Sequence, residues 1–211
     1  MDGDTFRESV EASKRTELDR LGSSKLLIAL TGARIEREGV LEVAAHSEHA
    51  ARETFRQWAD NESHDAARAA FEAIAEQEDR HLDRVLAALD DAEVDLADGG
   101  PMHAYLRGRE ETVERVASGM VGRPLVSVRA HTQIIGFFIN EADEMTADLF
   151  RDLKAETAAV IEDGCALLDE CCTSESDWER AEMVAEYVIQ VAYDDYADSL
   201  TELGVGVKDI C

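Results

Sequence analysis

Two stretches decide the fold: Glu48-His-Ala-Ala-Arg-Glu-Thr-Phe-Arg-Gln-Trp-Ala59 and Phe71-Glu-Ala-Ile-Ala-Glu-Gln-Glu-Asp-Arg-His81. The first belongs to a stripe of Val40, Ala44, Glu48, Ala51, Phe55 and Trp58, spaced three or four apart and therefore on one face of an α-helix. The second belongs to a stripe of Ala67, Phe71, Ile74, Glu78, His81, Val85 and Leu89. Each apolar line is interrupted by ionisable residues, Glu48 in one and Glu78 with His81 in the other. Burying a bare carboxylate is costly, so each of these groups needs a partner, and a metal ion is the strongest one available. Glu on one helix facing Glu-x-x-His on another is half of the ligand set of a di-metal carboxylate site in a four-helix bundle. The same three residues are also readable as a metal-free cluster, hydrogen-bonded to one another and to buried water.

Outward from these stripes the chain reads as helix almost throughout. Ala, Glu, Leu and Arg dominate, and the only prolines are Pro101 and Pro124. The expected helices are about Thr5 to Arg20, Lys25 to Thr31, Ile35 to Asp60, Asp65 to Asp90, Tyr105 to Met120, Leu125 to Ala142, Ala147 to Cys171 and Trp178 to Leu203. The acidic stretch from Asp91 to Gly100 is expected to be a loop or crossover, Gly122 and Pro124 to stop a helix, and Gly204 to Cys211 to be irregular. Thr173-Ser-Glu-Ser-Asp177 offers helix-capping side chains. Nothing divides the 211 residues into two domains, and that length suffices for one sizeable core. The expectation is one all-α domain: a helical extension over 1–34, two helices over 35–90 and the remainder over 101–203.

Composition narrows the partners. A net charge of −26 makes phosphate backbones and anionic membranes poor partners, and no apolar run is long enough to span a bilayer. Only Lys14, Lys25, Lys154 and Lys208 among the 21 basic residues are lysines. Acidic residues spread over the whole chain with so few lysines resemble surfaces adapted to molar salt, where self-repulsion is screened. An acidic binding face is the competing reading. No basic-then-apolar leader is visible, so a cytoplasmic location is expected. Cys165, Cys171, Cys172 and Cys211 form no CxxC pair, which excludes a rubredoxin or zinc-ribbon centre, and the vicinal pair reads as buried small side chains at a helix end.

The two quoted stretches resemble the first and second helices of the rubrerythrin family. The first shows a Glu followed by Ala three on, Phe seven on and Trp ten on; the second shows the Ala-Glu-Gln-Glu run ahead of His81. The resemblance covers about Val40 to Leu89. It implies a ferritin-like four-helix bundle, here with an added N-terminal segment and an additional C-terminal helix. It further implies Glu48, Glu78 and His81 as ligands to non-haem iron or manganese, and a role in peroxide or iron detoxification by an oxidoreductase. The second half departs from the family. Phe137 precedes Phe150 by thirteen residues, as Trp58 precedes Phe71, and on that register Glu48, Glu78 and His81 correspond to Ser127, Thr157 and Val160. A slip of one residue brings in Glu156 but no histidine. A non-catalytic helical scaffold or interaction module that has lost its site is therefore the alternative function.

The other ionisable residues are weaker candidates. His46 and His49 lie on other faces of their helix and read as solvated. His131 is readable as a replacement ligand or as a surface or hydrogen-bonded histidine. Asp194 and Asp195 read as a solvated face, His64 as a turn residue and His103 as a loop residue. A two-fold homodimer could supply two half sites, but Ile134, Ile135, Phe137, Phe138, Leu149 and Leu153 suffice to cover the first two long helices within one chain. That closed bundle avoids the entropy of association, so a monomer is expected.

Overall fold

The computed structural model describes residues 1–89, 94–96 and 99–207. The expected crossover from Asp91 to Gly100 and the end of the second long helix at Asp90 lie largely outside these, as does Cys211. The described residues are helical with no strand: α1 (Gly3–Ser13), α2 (Arg15–Leu21), α3 (Lys25–Leu30), α4 (Arg37–Asn61), α5 (Asp65–Ala87), α6 (Pro101–Arg107), α7 (Thr112–Arg115), α8 (Arg123–Asn140), α9 (Glu144–Cys171) and α10 (Glu175–Glu202), with a π-helical segment, Val116–Gly122, joining α7 to α8. Short turns fold α4 back on α5 and α8 back on α9, giving two helical hairpins whose α5 and α9 meet. Helix α10 packs along the π-helical segment and over α6, α3 and α2.

Caps set several boundaries. His64 caps α5, its Nδ1 accepting from the Ala67 amide, and Asp143 does the same for α9 through Thr146. Ser174 and Asp177 form a reciprocal capping box at the start of α10. The turn between α4 and α5 is clamped by a buried carboxylate that the sequence did not single out. Glu62 accepts from the amides of Ser63 and His64, from the Thr112 hydroxyl and from the Arg115 guanidinium.

Two expectations need correction. Tyr105 to Met120 is not one helix, because α6 ends at Arg107 and α7 begins at Thr112, whereas the N-terminal extension packs Phe6, Val10, Leu18 and Leu21 into the common core. Nor do Gly122 and Pro124 stop a helix, for the chain runs on helically from Thr112 to Asn140. The helix widens just before Pro124, the Arg123 amide bonding to the Ser118 carbonyl five residues back. That wider turn relieves the clash a proline ring makes with the carbonyl four residues earlier.

The long helices bury two apolar cores. One holds Phe55, Trp58, Phe71, Met120, Val160 and Val188, with Trp58 edge-on to Phe55. The other holds Leu41, Val85, Ile134, Phe138, Phe150 and Leu153. Between them, every long helix of the two hairpins carries polar residues: Glu48 on α4, Glu78 and His81 on α5, Ser127 and His131 on α8, Glu156 and Thr157 on α9.

Candidate metal centre in the polar layer

The three predicted residues come together. Glu48, Glu78 and His81 are all buried, and each offers a ligand atom within 4.8 Å of the others. His81 Nδ1 lies 3.6 Å from Glu48 Oε2 and 3.6 Å from Glu78 Oε2. Those separations are too long for hydrogen bonds, and both His81 Nδ1 and Glu78 Oε2 are buried without a hydrogen-bond partner. They match the gap between two ligands of one ion, since atoms each about 2.1 Å from a metal stand about 3.0–3.6 Å apart.

The other edge of the imidazole is also occupied. His81 Nε2 lies 3.0 Å from Glu156 Oε2, and Glu156 in turn approaches Arg84. With Nε2–H donating to Glu156, the lone pair of a neutral ring sits on Nδ1 and faces two carboxylates. A carboxylate on the far nitrogen is the usual support of a metal-bound histidine. Glu156 is the residue that a one-residue slip of register brings in. It reaches His81 from a half-exposed position, so the acidic side chain that α9 brings to His81 is not in the register of Thr157 and Val160, although those two and Ser127 are buried.

Two further groups complete the layer. Arg123, 2% exposed, donates from Nη2 to Glu78 Oε1 at 2.6 Å and stacks its guanidinium over Phe55. His131 Nε2 lies 3.2 Å from Glu48 Oε1. His131 is thus a buried, hydrogen-bonded residue. His103, expected in a loop, is buried on α6 and its Nδ1 has no partner. Arg123, Ser127 and His131 are spaced four apart and line one face of α8, a periodic signal present in the sequence. His49 contacts Arg52, which also bridges Glu53 and Asp79 across the outer side of α4 and α5. Gln190 bonds Asp194, and Asp194 and Asp195 are both exposed. Cys165 is buried, whereas Cys171 and Cys172, expected to be buried, are half-buried at the end of α9, and burial pushes all three thiol pKa values up.

The electrostatics follow from this packing. Burial of the His81 ring favours the neutral form, but the two carboxylates at Nδ1 outweigh it and raise the pKa from 6.5 to about 10. Burial would likewise raise Glu48, yet the neighbouring Glu78, the bond with His131 and the nearby His81 ring hold it well below the carboxylate range. Glu78 is raised, by burial and by the charge of Glu48, with Arg123 pulling the other way. The space at His81 Nδ1 therefore demands a positive charge, a proton or a metal ion. On the far side of Glu78 that charge is already built in as Arg123.

No protein-family profile matches the chain, and comparisons with curated proteins and with solved structures return no match.

Proposed function

We propose that this chain is a ferritin-like, rubrerythrin-related bundle whose Glu48, Glu78 and His81 hold a single iron or manganese ion. The observation that carries the reading is the pair of buried, unpartnered ligand atoms, His81 Nδ1 and Glu78 Oε2, with Glu156 supporting the opposite nitrogen. The guanidinium of Arg123 takes the place of a second ion, so the site is mononuclear rather than half empty. A bound ion would supply a one-electron source or sink, suited to reduction of peroxide or oxidation of ferrous iron. The protein's own part is to fix three ligands, to keep Nε2 protonated against Glu156, and to release the Nδ1 proton when the ion enters.

A second reading rests on the charge balance. Glu48 and Glu78 are offset by Arg123 and a protonated His81, so the layer is also neutral as a metal-free cluster in a helical scaffold. Metal analysis separates the two. Protein purified in 2 M potassium chloride and loaded anaerobically with ferrous or manganous ion should retain one ion per chain, and His81→Leu should retain none while staying folded. Cobalt(II) gives an optical signature of the same site. No binding above background in the parent protein rejects the metal reading, and tight binding kept by His81→Leu shows that the ligands are others.

A further inference from the structure

The place for an ion between Glu48, Glu78 and His81 is walled off from solvent, for the side chains of Glu78 and His81 are 1% and 0% exposed. Glu48 keeps 5%, and of the three it is the one that lines a half-open cavity of about 470 Å³ bounded by α3, α4, α6, α8 and α10. That volume lies in the size range of small-molecule sites. The walls are mostly apolar, with Leu26, Met102, Val126, Ala130 and Ile134 among them, and the exposed Asp195 marks the open side. His103 and His131 also border the cavity, but their Nδ1 atoms are shut inside the protein and His131 Nε2 is taken by Glu48. Those two rings therefore offer an occupant nothing to bond with. The cavity thus runs from solvent to one ligand of the candidate metal centre between walls that are largely apolar.

We propose that this cavity is the entry by which a small, uncharged, weakly hydrogen-bonding molecule of the dioxygen class reaches an ion held by Glu48. The proposal rests on the metal reading above and narrows its co-reactant. Anions are repelled by Glu48 and Asp195 in a chain of net charge −26. Apolar walls disfavour hydrated ions and strongly hydrogen-bonding molecules such as hydrogen peroxide, which lose water contacts there without replacement. An apolar gas suffers no such penalty, and apolar cavities hold xenon readily. A diatomic molecule also needs only a small displacement of the Glu48 carboxylate to pass, whereas a larger one has to unseat it from His131, 3.2 Å away.

Two probes test the entry, both in 2 M potassium chloride. Xenon NMR on chelator-treated, metal-free protein should show saturable binding that Ala130→Phe, which projects a ring into the cavity, removes. Nitric oxide, uncharged and of dioxygen's size, is mixed anaerobically with ferrous-loaded protein and followed by stopped-flow absorbance. Its association rate should fall about tenfold or more in Ala130→Phe, while the variant still retains one ion per chain. Val126→Phe serves the same purpose should the first variant fail to fold. An unchanged nitric oxide rate in a folded, filled variant overturns the entry and leaves the metal reading standing. Absence of saturable xenon binding in the parent overturns the class of molecule assigned to the cavity. A parent that retains no ferrous ion overturns the metal reading and the entry with it, and the ion count shows this before nitric oxide is added.

Discussion

Arg123 changes what its partner is worth. From the sequence alone, removing Glu78 looks inexpensive, since it removes a buried acid. With Arg123 2% exposed and bonded to Glu78, the Glu78→Ala protein strands a buried guanidinium. We expect a loss of about 3–5 kcal/mol for the single change. The paired change Glu78→Met with Arg123→Met should fall within about 1 kcal/mol of the parent or exceed it, as replaced buried ion pairs often do. Urea denaturation of the three proteins in molar salt measures both, and equal losses in the single and double variants would dissolve the coupling. Two histidines give opposite pH signatures at the same scale. His81 has a folded pKa above its unfolded value, so its contribution is complete below about 6.5 and is lost as pH rises towards about 10. His103 has a depressed one, so its contribution is complete above about 6.5 and is lost as pH falls towards about 3. Comparing stability–pH curves of the metal-free parent with those of His81→Leu and His103→Leu should show the differences on opposite sides of neutrality. If a metal binds, it displaces the His81 proton, and its apparent affinity should weaken about tenfold per pH unit on descent from pH 9 to 7.

At the scale of the element, the π-helical segment Val116–Gly122 turns what the sequence presents as a helix end into a continuous helix. It places Arg123, Ser127 and His131 on the layer-facing side of α8, and it lets Trp58 approach the backbone at Gly119. A Cβ at Gly119 would overlap the Trp58 ring, and one at Gly122 would overlap Val188. Gly119→Ala gains helix propensity of about 1 kcal/mol but forces an overpacked core that costs about 1–3 kcal/mol. The net expectation is destabilisation, with Trp58 fluorescence shifted as the ring moves. A more stable Gly119→Ala protein with unchanged fluorescence would show that the close approach is not fixed.

For the whole molecule, charge is the dominant property. With 47 acidic against 21 basic residues, self-repulsion acts between neighbours wherever the screening length is long. That length is about 10 Å at 0.1 M salt and about 3 Å at 1 M. The unfolding temperature should therefore be lower in 0.1 M than in 2 M potassium chloride, and equal values would remove the reading of the surface as adapted to high salt. Individual ion pairs such as Arg84–Asp152 and Arg34–Glu42 are exposed and offset little of this repulsion.

Helical class, the long elements and the inward placement of Glu48, Glu78 and His81 were legible in the sequence because each depends on periodicity within one helix, which three- and four-residue spacing encodes directly. Ser127, Thr157 and Val160 are buried, but it is Glu156, one residue out of the register set by the aromatic spacing, that reaches His81. The continuous α7-to-α8 helix was not legible, because glycine and proline are local breakers whose effect here is reversed by packing against Trp58 and Val188. Arg123 was hidden, and His131 and Glu156 were legible only as alternatives, for a related reason. Arginine, histidine and glutamate on an acidic, arginine-rich chain read as surface until another helix covers them. The sequence alone determined which helix faces are apolar and which carboxylates interrupt them. Only the tertiary structure decided which cations answer those carboxylates, because charge compensation in a core is set by distances between helices, and no spacing along the chain specifies those.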